Sequence, residues 1–283
     1  MSTRLHLETT NVSIDDKLVE VGICLAPRPR NTILLLHEAL GSVSYWRNFP
    51  EKLASATESD VLCYSRPGHG YSEGPLETRD RDHYLHQIEV VIPSLLKAFG
   101  LDHPVIYGHS EGAGIAMLYA ACSRDVKAIV LESPYVVPDV SAFHHIQRLA
   151  AAYPGSKMQE RLTLYHRDAD AVFHSWIHWA TSSPHGNYFP EDLLSAIECP
   201  VLVLQGANDD FGTTAHLQAL HDSIPLLDFE LFPDSGHLPH RENTDLLLAR
   251  VARFVEQLDF PVHQRASTQQ STAHPSVSDK EQL

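Results

Sequence analysis

Positive charge is scarce in this chain. Its 21 lysines and arginines stand against 36 aspartates and glutamates, a formal net charge of -15 over 283 residues. An acidic surface repels phosphate backbones, which argues against a nucleic-acid partner. Long apolar runs are missing too. No window approaches the roughly 20 residues of a membrane-spanning helix, and the opening "MSTRLHLETTNVSIDDKL" has no apolar stretch of the kind a secretory leader carries. No membrane partner is expected. Cysteine is sparse: Cys24, Cys63, Cys122 and Cys199 lie far apart, each within or beside an apolar run, and no Cys-x-x-Cys pair occurs. They are expected as four buried free thiols in a cytoplasmic, reducing setting.

Histidine is the exception, at 19 residues. His174 and His178 fall on one helix face, and His144 is next to His145. The His-Glu-x-x-His spacing of a zinc site is absent, so neither a metal nor another cofactor is expected. The His144–His145 pair reads as polar surface, and the "RDRD" that begins at Arg79 reads as a solvated helix start.

A hydrophobic content of 43% is enough for one large core with a small appended lobe. "TILLLHE" (Thr32 to Glu38) is a short continuous apolar run, as in a strand covered on both faces. "DVLCYSR" (Asp60 to Arg66), "HPVIYGHS" (His103 to Ser110), "VKAIVLES" (Val126 to Ser133) and "CPVLVLQG" (Cys199 to Gly206) have the same character, and "LDFELF" (Leu227 to Phe232) is a weaker sixth. Amphipathic stretches of helical length separate them: Trp46 to Ala56, Asp82 to Phe99, Glu111 to Cys122, Thr213 to Ser223 and Glu242 to Leu258. Alternating strands and helices predict an α/β fold, a mostly parallel doubly wound sheet with helices on both faces. "RLHLETTNVSI" and "KLVEVGICLA" alternate more and read as an antiparallel hairpin at one sheet edge. From Pro138 to Pro190 no strand signal appears, and the aromatic, histidine-rich segment is too long for a simple crossover. The expected division is a core from residues 1–137 and 191–260, an inserted helical cap at 138–190 and a disordered polar tail at 261–283.

Ligands of an open α/β sheet bind beyond the carboxyl ends of its strands, and the unusual residues collect there. One strand runs into His37, Glu38 and Ala39, another into the turn "RPGHG", and a third into Ser110. The last two run into Asp209 with Asp210, and into His237. A serine, an acid and a histidine so reach one rim from three strands, in that chain order. Ser110 could be a plain turn residue, and Asp209 could cap the following helix.

Gly108-His109-Ser110-Glu111-Gly112 resembles the G-x-S-x-G nucleophile elbow of the α/β-hydrolase family, and the resemblance extends from about Thr32 to Leu258. It implies an α/β-hydrolase fold with Ser110 as nucleophile and His237, in "DSGH", as the catalytic histidine. His240 is then structural. It places the acid three residues after the strand-closing Gly206, at Asp209, with Asp210 and then Glu132 as alternatives. The oxyanion donors it implies are the backbone N–H groups of Ala39 (or Leu40) and Glu111. The family usually has His-Gly where this chain has His37-Glu38, and His37 is expected to be buried under that turn. "SRPGHGYS" matches a glycine-rich turn that packs near the site without taking part in the chemistry.

The implied activity is cofactor-free serine hydrolysis of a small-molecule substrate, a carboxylic ester or lactone, through an acyl-enzyme. Trp176, Trp179 and Phe173 are candidate pocket walls or the cap's own core, and His109 either touches substrate or packs at the elbow. A serine nucleophile argues against haloalkane dehalogenases and epoxide hydrolases. Carbon–carbon bond hydrolases and thioesterases share the triad, and a slow-turnover small-molecule receptor is the alternative from another class.

Overall fold

The computed structural model describes residues 5–76, 79–137, 139–182, 191–212 and 214–259. The expected tail at 261–283 and residues 183–190 of the expected cap lie outside them. The chain order is β1 (Glu8–Ile14), β2 (Lys17–Cys24), β3 (Asn31–Leu36), α1 (Phe49–Thr57) and β4 (Ser59–Tyr64), then α2 (Arg81–His86), a π-helical turn (Gln87–Val91) and α3 (Ile92–Phe99). Next come β5 (Val105–His109), α4 (Glu111–Cys122) and β6 (Ala128–Glu132), followed by α5 (Val140–Ala152), α6 (Lys157–Leu162), α7 (Ala169–Ser182) and α8 (Glu191–Ser195). The chain closes with β7 (Val201–Gly206), α9 (Thr214–Ser223), β8 (Leu227–Phe232), α10 (Pro239–Glu242) and α11 (Thr244–Gln257).

The eight strands form one sheet in the order β1-β2-β4-β3-β5-β6-β7-β8. From β4 to β8 every neighbour is parallel, and β1 and β2 join as an antiparallel hairpin at the β4 edge. The hairpin turns on Asp15 and Asp16, both at positive φ (51° and 57°), the backbone of a tight primed turn. Every residue of β5, β6 and β7 is buried, because helices cover both faces. One face carries α3, α4 and α9 over Leu34, Ile106 and Val203; the other carries α1 and α11 over Ile33, Val105 and Leu204. Helix α11 buries Leu247, Leu248, Val251, Phe254 and Val255, an apolar stripe at helical spacing.

The stretch expected as one helix from Asp82 to Phe99 is interrupted. Pro93 has no N–H for the carbonyl four residues back, and the helix widens just before it. The Ile92 N–H bonds to Gln87, five back.

Helices α5 to α8 enter between β6 and β7; α5 to α7 build an apolar cluster of their own, and α8 sets Leu194 into the main core on the α4 face. Tyr153 and Phe173 stack with ring centroids 3.5 Å apart, and Leu162, Val172 and Trp176 close around Ala39 and Leu40. The strand order reverses at β3, because the chain visits β4 on one side of it before β5 on the other. The crevice that such a reversal opens lies between the ends of β3 and β5, where "HEAL" and Ser110 stand.

Candidate active site

Strand β5 must turn sharply into α4, and two glycines allow it. A Cβ on Gly108 would collide with the Gly112 carbonyl oxygen, and one on Gly112 would strike the Leu36 carbonyl oxygen. Between them Ser110 takes φ 53° and ψ -114°, a strained conformation for a residue with a side chain. Its N–H donates to the Glu132 carbonyl at 2.9 Å, tying the turn to β6. The first helical N–H, that of Glu111, lies at the positive end of α4, beside the serine.

The acid and the histidine meet. His237 Nδ1 lies 2.9 and 3.0 Å from the two carboxylate oxygens of Asp209. The Asp209 side chain is 1% exposed, yet it accepts from Gln205 Nε2 and from the Phe211 N–H, each at 2.8 Å. The bond to Phe211 closes a turn two residues on, so Asp209 serves the histidine and its own loop. Burial alone would raise its pKa; His237 and these donors bring it below the usual carboxylate range. Burial would likewise lower His237, but Asp209, with Glu38 and Glu132 adding, leaves it above its ordinary value. Asp210, the alternative acid, is exposed to solvent.

Glu132 has a different partner. Its carboxylate binds His240 Nδ1 at 2.8 and 3.0 Å, the His240 N–H at 2.7 Å and the Tyr107 hydroxyl at 2.8 Å. Burial opposes its charge, but His240 and His109 hold its pKa near about 2. This second acid–histidine pair is fully buried behind the first. His109, expected as a possible substrate contact, also belongs to that layer. It is 1% exposed, and its Nε2–H donates to the His237 carbonyl at 2.9 Å, beside the Ser133 hydroxyl at 3.1 Å. Two donors therefore fix the backbone of His237.

The turn after β3 is held from beneath. Arg66 donates to the His37 carbonyl at 2.5 Å and the Glu38 carbonyl at 2.9 Å, and Arg79 to the Ala39 carbonyl at 2.7 Å. His166, from the segment between α6 and α7, accepts the Gly70 N–H on Nδ1, so its Nε2 carries the proton given to the Leu40 carbonyl, both at 2.9 Å. Four successive carbonyls are thus drawn away from the crevice. Among the described residues no protein acceptor takes the Ala39 or Leu40 N–H. His37 lies beneath, accepting the Arg66 N–H on Nε2 at 3.0 Å and donating from Nδ1 to the Glu38 carbonyl at 2.6 Å. Burial first, and the nearby cations next, push the pKa of His37 and His69 well down, so both rings are neutral.

Arg79 corrects the reading of "RDRD" as solvated. The other three, Asp80, Arg81 and Asp82, are exposed at the start of α2 as expected, with Asp80 capping the His83 N–H at 3.0 Å. Arg79 is 3% exposed and pairs with Glu111 at 3.2 Å, while Arg66 pairs with the same carboxylate at 2.5 Å. Burial would raise the pKa of Glu111, but the two guanidiniums hold it below the usual range.

Above these groups lies a cavity of about 910 Å³. Ser110, His237, Ala39, Leu40 and Glu111 form its floor, and Trp176, Trp179, Phe211 and Met158 stand among its walls. Phe173 is not on the wall: at 1% exposure it stacks on Tyr153 inside the cap. His145 lines the cavity against Phe211, at 4.7 Å between rings, where polar surface was expected. Cys122 also departs from expectation, being exposed at the cavity edge; Cys24 and Cys63 are buried and Cys199 is half-buried.

Among the described residues two groups bring metal-binding atoms within 4.8 Å of one another: Glu38 with His109 and His237, and His109 with Glu132 and His240. Hydrogen bonds already engage His109 Nε2, His237 Nδ1 and both Glu132 oxygens. No helix among the described residues is long and apolar enough to cross a membrane.

The sequence profile described as "Alpha/beta hydrolase family" matches residues 33–250. The chain belongs to the alpha/beta hydrolase family. Among curated relatives, a proline iminopeptidase of Lactobacillus delbrueckii subsp. lactis is 22% identical over 251 residues, covering 74% of this chain and 85% of its own. A 2-hydroxy-6-oxo-6-phenylhexa-2,4-dienoate hydrolase from Rhodococcus superposes with a TM-score of 0.75 at 15% identity, over 88% of this chain and 98% of that one. A naproxen esterase from Bacillus subtilis gives 0.67 at 17% identity, over 88% and 92%. At these identities the two structures show the alpha/beta hydrolase fold, and the family makes the chain a hydrolase.

Proposed function

We propose that this alpha/beta hydrolase is a serine hydrolase of small carboxylic esters or lactones, working through an acyl-enzyme. One observation carries the reading. A histidine bonded through Nδ1 to a buried aspartate faces the same cavity as a serine held in a strained elbow. With Nδ1 engaged, Nε2 of His237 is the nitrogen left for Ser110.

The Ser110 hydroxyl gives its proton to His237 Nε2 as Oγ bonds to the carbonyl carbon. Asp209 keeps the ring in that tautomer and balances the imidazolium. The carbonyl oxygen gains charge between the N–H groups of Ala39 and Glu111, each such donor being worth about 3–4 kcal/mol of barrier. His237 then passes the proton to the leaving oxygen as its bond to carbon breaks. Water enters by the same route in reverse, giving the acid and restoring Ser110. The walls are mostly apolar, which suits an uncharged acyl or alcohol group.

The test is a panel of p-nitrophenyl esters of rising acyl length, run on the wild type and on Ser110→Ala. The expected result is turnover by the wild type and none above background by the variant, with unchanged circular dichroism. Near-native turnover by a folded Ser110→Ala protein would remove Ser110 from the mechanism.

A further inference from the structure

One residue stands out of keeping with the site around it. Glu38 precedes the proposed oxyanion donor Ala39, at a position where the family usually has glycine. Its backbone is fixed, because its carbonyl accepts from Arg66, His37 and Gly41. Its side chain lines the cavity beside Ser110 and His237. A carboxylate oxygen of Glu38 lies within 4.8 Å of a ring nitrogen of His237. Burial, followed by the charge of Glu38, pushes the pKa of the Tyr45 hydroxyl up to about 12.

The nearby cations are committed elsewhere. Arg66 and Arg79 pair with Glu111, and Arg241 lies 4.2 Å over the Tyr45 ring with its Nη2 on the Tyr45 carbonyl. Among the described residues no arginine or lysine pairs with the Glu38 carboxylate. A fixed negative charge beside an oxyanion hole favours the imidazolium but opposes the oxyanion. Such a local conflict marks a functional position. A substrate that brings its own positive charge resolves it. In an α-amino ester the nitrogen lies about 2.5 Å from the carbonyl carbon, from ordinary bond lengths and angles, so its ammonium is carried to the oxyanion turn whenever the carbonyl is seated there. Phe211, on the cavity wall, adds an aromatic face that also suits a cation.

We propose that Glu38 is a specificity-determining residue that selects substrates bearing an ammonium next to the scissile carbonyl, α-amino esters above all, and rejects those bearing a carboxylate there. The proposal rests on the serine-hydrolase reading. The ammonium takes no part in the bond changes; it pairs with Glu38 while Ser110 and His237 act.

The test compares three benzyl esters of matched shape: the ester of alanine, the ester of 2-methylpropanoic acid, and the monobenzyl ester of methylmalonic acid. They place ammonium, methyl and carboxylate at one position, and benzyl alcohol release is followed at a pH that keeps the amine charged. The expected kcat/KM order is ammonium, then neutral, then anionic, with steps of about ten- to hundredfold for a charge pair at this range in a partly screened cavity. In Glu38→Gln the spread collapses, and Glu38→Asp recovers part of it. A second readout needs no turnover: alaninamide slows fluorophosphonate labelling of wild-type Ser110 more than 2-methylpropanamide does. The same order of rates in Glu38→Gln, or equal protection by the two amides, overturns the proposal. If Ser110 does not label at all, it is the serine-hydrolase reading that fails.

Discussion

Two neighbouring aspartates separate sharply at the level of single residues. Asp209 is buried and bonded to His237, whereas Asp210 faces solvent. An amide at Asp209 cannot balance the imidazolium, and the corresponding change in a serine protease lowered turnover about ten-thousandfold. Asp209→Asn is therefore expected to lose about a thousandfold or more in kcat, and Asp210→Asn no more than a few-fold. Steady-state kinetics on the two variants decide it, and a crippled Asp210→Asn would contradict the geometry. The pH profile carries the same information with a definite sign. His237 accepts a proton only when neutral, and its pKa is raised because Asp209 outweighs burial. The acid limb of kcat/KM should fall above the ordinary histidine value of about 6.5, and the residual activity of Asp209→Asn should have that limb at lower pH. A limb that does not move would mean that another group titrates.

Whole elements were legible where burial is simple. Strands β3 to β7 are covered on both faces, so they appear in the sequence as unbroken apolar runs. The elbow was legible because Gly108 and Gly112 have no room for a side chain, and close packing leaves that mark in any sequence. The clamp on the turn after β3 was not. "TRDRD" is polar throughout, and nothing local marks Arg79 as the buried member; its partner Glu111 comes from another element. Phe173 and Trp176 share α7, and only the seating of that helix makes one a core residue and the other a wall. Glu111 is the one carboxylate that Arg66 and Arg79 share, so its removal leaves buried guanidinium charge uncompensated, at a cost of about 3–5 kcal/mol. Glu111→Gln is expected to destabilise the fold by an amount of that order in chemical denaturation. Adding Arg79→Met should recover part of the loss, because one stranded charge is then gone. A double variant as unstable as the sum of its parts would show that Arg79 and Glu111 are not coupled.

At the scale of the whole molecule, the inserted helices and the sheet meet over Ser110, and His166 joins them. Its ring bridges the Gly70 N–H and the Leu40 carbonyl, so the seating of the insertion and the shape of the proposed oxyanion turn are mechanically linked. His166→Ala is expected to lower kcat about tenfold or more with little change in KM, since a small misplacement at such a site is costly. An equal loss in short and long esters would fit a disturbed turn, and a loss confined to long esters would point to the walls. The central claim is that Ser110 forms a covalent acyl-enzyme, and mass spectrometry tests it most directly. Wild-type protein quenched during turnover of a p-nitrophenyl ester should gain the mass of one acyl group, mapped by digestion to the peptide containing Ser110. Ser110→Ala should gain none. An adduct on another residue, or the same adduct in Ser110→Ala, would contradict the account.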